Sequence, residues 1–159
     1  MKEIEIYIDG ACKGNPGPSG IGVVVCQKNQ TVKNISVFIG QATNNIAEYT
    51  ALIYGLQEGL ILKAQKIKVN TDSQLLYRQI KRIYKIKNPG ILVLYQQARH
   101  LLSGFNAVEF KNIPREENRL ADRLSNLAIK QALKGHKVSA QNQQVKKLAP
   151  AEKEADLFL

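Results

Sequence analysis

Residues 3–9 alternate between polar and apolar side chains (Glu3, Ile4, Glu5, Ile6, Tyr7, Ile8, Asp9), the two-residue period of a strand buried on one face. Residues 10–22 carry four glycines before Gly22 itself, together with Pro16 and Pro18, and read as a turn-rich loop. Residues 21–27 and 32–40 predict a second and a third strand joined by a polar turn at 28–30, an antiparallel meander. The period then lengthens. Thr43 or Asn44 can cap a helix whose apolar positions are Tyr49, Leu52, Ile53, Leu56 and Leu60. A strand at 66–71, a helix starting near Ser73, an interruption at Pro89 and a helix at 91–102 follow. A strand at 107–113 and a last helix at 116–133, apolar at Leu120, Leu124, Leu127 and 129–133, complete the order β-β-β-α-β-α-α-β-α. That order predicts an α/β fold: a mixed five-stranded sheet, antiparallel meander plus parallel strands, flanked by helices.

The chain length of 159 residues suits one such domain, assigned to residues 1–135. Residues 136–159 are rich in Gln, Lys, Ala and Glu, with little to bury before Leu157, Phe158 and Leu159, and are expected to form a flexible tail. No apolar stretch is long enough for a bilayer, and no basic segment followed by an apolar one marks a secretory signal. Cys12 and Cys26 are the two cysteines, without a CxxC or Cys/His cluster to hold zinc. The expectation is a cytoplasmic protein with reduced thiols and no membrane partner.

A formal net charge of +10 and a pI near 9.7 point to a polyanionic partner. The charge is concentrated in a run of Arg78, Lys81, Arg82, Lys85 and Lys87 that contains no acid. Such a run is either a solvated helix face or a phosphate-binding element.

Four acids stand out against this background. Asp9 closes the first predicted strand, Glu48 falls in the first turns of the first long helix, Asp72 ends the fourth strand, and Asp122 lies in the first half of the last helix. Each sits beside apolar segments where an unpaired acid is costly, and strand ends and helix starts are where α/β sheets gather ligands. Taken singly, Asp72 fits a helix cap and Asp122 a solvent-facing partner of Arg119 or Arg123.

The surrounding segments resolve the pattern by resemblance. DGACKGNPGPSG (9–20), TNNIAEY (43–49), NTDSQ (70–74) and REENRLAD (115–122) closely resemble, in order and spacing, the segments of type 1 ribonucleases H. The resemblance covers residues 3–133. It implies an endonuclease that hydrolyses the RNA strand of RNA–DNA hybrids by two-metal-ion catalysis and leaves 3′-hydroxyl and 5′-phosphate ends. It also implies two Mg2+ ions, for which Mn2+ can substitute, held by Asp9, Glu48, Asp72 and Asp122. Asp9 would bridge the two ions, with Glu48 and Asp72 on one side and Asp122 on the other. A phosphodiester in hydrolysis develops charge on the attacking and leaving oxygens, which two hard cations in a carboxylate cage can stabilise. By the same resemblance, Asn15, Asn44, Gln74 and the backbone of Cys12, Lys13 and Gly14 contact the minor groove. Thr43 and Asn45 hold a DNA phosphate, and Arg115 binds a phosphate. Read alone, Asn15 is an ordinary turn residue, and Thr43, Asn44 and Asn45 fit capping.

Two departures from the family pattern matter. Many members carry a mobile histidine ten residues before the last aspartate, where this chain has Asn112. A long basic protrusion is also missing, with only 49 residues between Asp72 and Asp122. Asn112 keeps a rival open, a hybrid-binding module of the same fold with little or no catalysis, although the presence of all four acids argues against it. A DNA-junction nuclease is disfavoured by the TNN and GNPGPSG segments. Finally, the last six residues, including Asp156, Leu157 and Phe158, resemble the short peptide that bacterial replication and repair enzymes insert into the sliding clamp. The chain is expected to act as a monomer.

Overall fold

The computed structural model describes the backbone of residues 1–142 and the side chains of residues 1–135. Strands β1 (Glu3–Cys12), β2 (Gly17–Gln27), β3 (Gln30–Ala42), β4 (Lys66–Thr71) and β5 (Ala107–Asn112) form one sheet in the order β3-β2-β1-β4-β5. The first three strands pair antiparallel, whereas β1–β4 and β4–β5 are parallel. Helices α1 (Asn44–Ile61), α2 (Gln74–Ile80), α3 (Pro89–Leu102) and α4 (Arg119–Asn142) complete the fold, with a short 3-10 helix at Arg115–Glu117. The predicted mixed sheet and element order stand.

The alternation in β1 builds the core. Ile4, Ile6 and Ile8 are fully buried, and they meet Ile21, Val23 and Val25 of β2 and Ile67 and Val69 of β4 on the same face. Tyr49, Leu52 and Leu56 of α1 cover that face, and Ile91, Ala98 and Leu102 of α3 join the same core by packing on α1. Each such aliphatic side chain contributes roughly 1.5–3 kcal/mol on burial, so the sheet face dictates where the helices lie.

Several boundaries differ from the sequence reading. The expected loop at 10–22 is mostly strand: β1 runs to Cys12, and β2 begins at Gly17, paired Cys12↔Ser19, Ala11↔Gly20 and Gly10↔Ile21. Asp9 therefore lies inside β1, paired with Gly22, and does not close it. Lys28 and Asn29 form the tight β2–β3 turn with φ of 52° and 62°, the left-handed pair that a two-residue hairpin requires. Pro89 opens α3 rather than merely breaking the chain, with Asn88 Oδ1 accepting from the Ile91 N–H at 3.1 Å.

The chain divides into two units, Met1–Ile129 and the segment from Lys130 onward. The described part of the second is the continuation of α4 through Asn142, past the expected helix end at Leu133. Gly135 does not stop it, and the Lys, Ala and Gln around it are good helix formers. The remaining tail, with Asp156, Leu157 and Phe158, lies outside the described residues. No helix among the described residues is long and apolar enough to cross a membrane.

Candidate active site

Two close approaches of backbone set the site. A Cβ on Gly10 would come within 2.4 Å of the Glu48 amide nitrogen, so only glycine lets the first turns of α1 press against β1. A Cβ on Gly22 would lie 2.1 Å from the Ala121 carbonyl, so glycine likewise admits the start of α4 over β2. Glu48 and Asp122 thereby reach the neighbourhood of Asp9, and the parallel β1–β4 pairing brings Asp72 in from the adjacent strand end.

One carboxylate oxygen each from Asp9, Glu48 and Asp72 lie within 4.8 Å of one another. They form the floor of an open cleft of about 550 Å³ that Cys12, Asn44, Asn45, Arg115 and Asp122 also line. Asp122 sits at the rim, one-third exposed, with Arg115 Nη2 at 3.8 Å from its Oδ1. Arg115 is itself 79% exposed, so this is a weak surface pair. Asp72 does not cap α2, because the Ser73 hydroxyl accepts from the Leu76 N–H. Thr43 caps α1 by accepting from Ile46 N–H at 3.3 Å, which frees Asn44 from that role. Asn15 Oδ1 accepts from the Asn44 backbone N–H at 3.1 Å, tying the β1–β2 loop to the start of α1. Lys13, Gly14, Asn15 and Gln74 are exposed near the cleft rather than on its lining. Cys12 Sγ lies 3.2 Å from the Ala42 carbonyl, a packing contact.

The like charges are strained. Burial, then the Asp72 and Asp122 charges, push Asp9 up to about 7 against the relief of a hydrogen bond from Ser125. Burial first, and then Asp9 and Asp72, push Glu48 well above the usual carboxylate range. Asp72 is raised mainly by burial. Glu48 Oε2 is buried without a hydrogen-bond donor. Converging carboxylates with an orphaned buried oxygen, and with Arg115 only at the exposed rim, are the donor set a hard divalent cation requires.

Three polar residues escaped the sequence reading. Ser125 Oγ donates to Asp9 Oδ2 at 2.5 Å, Asn118 Nδ2 donates to the Ile8 carbonyl at 2.9 Å, and Asn126 Nδ2 donates to Asp122 Oδ1 at 3.3 Å. The one available signal is their helical spacing around Asp122, at one turn before it and one turn after. At the family-histidine position, Asn112 Nδ2 donates to the Thr71 carbonyl at 3.1 Å, fastening β5 to β4 beside Asp72.

The reverse transcriptase-like family model matches residues 7–128. A bifunctional protein of Mycobacterium tuberculosis is 40% identical over 129 residues, covering 80% of this chain. The chain spans only 35% of that relative's length and 65% of the ribonuclease HI of Halobacterium salinarum, to which it is 37% identical. The crystal structure of the halobacterial RNase H1 superposes with a TM-score of 0.79 at 35% identity, over 81% of this chain and 98% of that one. LC11-RNase H1, solved in complex with an RNA/DNA hybrid, gives 0.78 at 39% identity over 82% and 99% of the two chains. With the four acid segments on this sheet and these matches, the chain belongs to the reverse transcriptase-like family, among the type 1 ribonucleases H.

Proposed function

We propose that this chain is a metal-dependent endonuclease that hydrolyses the RNA strand of RNA–DNA hybrids, leaving 3′-hydroxyl and 5′-phosphate ends. The observation that carries the reading is the convergence of Asp9, Glu48 and Asp72 within 4.8 Å on the floor of a cleft rimmed by Asp122 and Asn44. The hybrid-bound LC11-RNase H1 supports the substrate.

Asp9, Glu48, Asp72 and Asp122 would hold two divalent cations, with Mg2+ the expected ion and Mn2+ a substitute. When bound, such a pair supplies charge stabilisation at the attacking and leaving oxygens and a nucleophile at neutral pH. The chain's own residues do the positioning. By the family resemblance, Glu48 and Asp72 would serve on one side of Asp9 and Asp122 on the other. Water adds to phosphorus, the P–O3′ bond breaks, and the departing O3′ takes a proton. Arg115 meets a phosphate at the rim. Asn15, Asn44 and Gln74, with the backbone of Cys12, Lys13 and Gly14, offer donors and acceptors to 2′-hydroxyls. Thr43 and Asn45 hold a phosphate of the DNA strand.

The test is cleavage of an end-labelled hybrid with Mg2+ or Mn2+, wild type beside Asp9→Asn. Cutting confined to the RNA strand and lost in the variant supports the reading. Tight hybrid binding without cutting would favour the binding module that Asn112 keeps in view.

A second partner rests on sequence alone. Asp156, Leu157 and Phe158 would insert into the apolar pocket of a sliding clamp, and a peptide of residues 150–159 that fails to bind a bacterial clamp would remove it.

A further inference from the structure

Ser125 is fully buried, and its hydroxyl faces two acceptors, Asp9 Oδ2 at 2.5 Å and the Asp122 carbonyl at 2.8 Å. A serine inside a helix ordinarily bonds back to a carbonyl of the preceding turn. Here that carbonyl has another donor, because Asn126 Nδ2 reaches it at 2.9 Å. A hydroxyl has one proton. The carboxylate is the closer acceptor, and a bond to an ionised group is the stronger. The proton therefore belongs to Asp9. The fold places it there deliberately: Asp9 pairs with Gly22, and a Cβ at Gly22 would lie 2.8 Å from the Ser125 nitrogen. No hydrogen bond to Asp9 Oδ1 is found among the described residues.

We propose that Ser125 is a positioning residue for cation binding: its hydroxyl pins Asp9 through Oδ2 and leaves Oδ1 for the cation. The proposal rests on the metal-dependent nuclease reading and deepens it. Ser125 also joins the two flanks of the site, since the same helical turn carries Asp122. Without the hydroxyl, Asp9 Oδ2 has no donor, the carboxylate is free to turn, and the ordering cost falls on cation binding.

The test is calorimetric titration of Mn2+ into the metal-free full chain, without nucleic acid, for wild type, Ser125→Ala and Ser125→Thr. Melting in chelator checks that each variant folds. Ser125→Ala should weaken Mn2+ binding about tenfold, the usual scale for losing a hydrogen bond to a metal ligand. Ser125→Thr, which keeps the hydroxyl, should stay within about twofold of wild type on the same scale. In cleavage, Ser125→Ala should shift the Mn2+ dependence by the same factor and leave KM for the hybrid unchanged. Ser125→Ala binding Mn2+ as tightly as wild type would overturn the proposal. So would Ser125→Thr losing as much as Ser125→Ala, which would assign the effect to packing of α4 on β2. Wild type binding no Mn2+ would sink the nuclease reading as well, so the two failures are distinguishable.

Discussion

Asp9 is a buried acid whose charge is opposed by its own neighbours, and that makes it costly to a metal-free protein. Its folded-state pKa, pushed up to about 7 by burial and the charges of Asp72 and Asp122, exceeds the ordinary 3.8. The folded state thus holds a proton more tightly than the unfolded chain. The penalty for ionising Asp9 is absent below pH 4, grows between about 4 and 7, and is complete above 7. Asp9→Asn should therefore raise the melting temperature in chelator at pH 8 by several degrees, on the order of 2–4 kcal/mol, and change little at pH 4. An equal effect at both pH values would show that the charge is not responsible. The same variant should lose cleavage. At Asn112, an imidazole could exchange protons near neutral pH where the amide cannot, so Asn112→His should raise turnover and alter the pH profile. Unchanged rate and profile would mean this position does not limit turnover. The four acids were legible in the sequence because their flanking segments are distinctive. Ser125 was not, because its partner lies in another element and a serine on an amphipathic helix carries no local mark of that contact.

At the scale of elements, the sequence showed the order of strands and helices correctly but misplaced the start of β2. Glycine and proline at 10–22 have the usual local meaning of turn signals. In the fold, Gly10 and Gly22 sit in paired strands and serve the approach of α1 and α4, a requirement set by tertiary packing. Gly22→Ala should accordingly force α4 off the sheet. A new Cβ 2.1 Å from the Ala121 backbone oxygen cannot be relieved by a side-chain rotation. We expect a loss of about 1–3 kcal/mol or more in urea unfolding, with cleavage falling because Asp122 and Ser125 move together. Wild-type stability in this variant would mean the two elements are not held as described. Thr43 and Asn44 both suit an N-cap by residue type, and the hydroxyl geometry decides for Thr43. The late end of α4 was hidden for a similar reason: a lone glycine weakens a helix without stopping it.

For the whole molecule, a net charge of +10 along the chain accompanies a cleft floored with acids, so polyanion attraction and cation demand act together. The basic run divides by element: Arg78 belongs to α2, where its guanidinium stacks 5.0 Å from the Tyr84 ring centroid, while Lys81, Arg82, Lys85 and Lys87 are exposed in the link from α2 to α3. Four of the five residues thus lie outside any helix and face solvent, and an exposed basic link free of acids suits phosphates as well as water. In such a link each Lys or Arg touching a phosphate releases condensed counterions, which sets the slope of affinity against salt. Replacing Lys81, Arg82 and Lys85 together by alanine should weaken hybrid binding at low salt and reduce that slope by about 3 if all three meet phosphates. The three side chains are exposed and leave the carboxylate cluster untouched, so Mn2+ affinity measured without nucleic acid should not change. Titrations of hybrid binding at several salt concentrations separate the cases. A reduced slope assigns the link to substrate grip, and an unchanged slope means that the excess charge acts only through the long-range field.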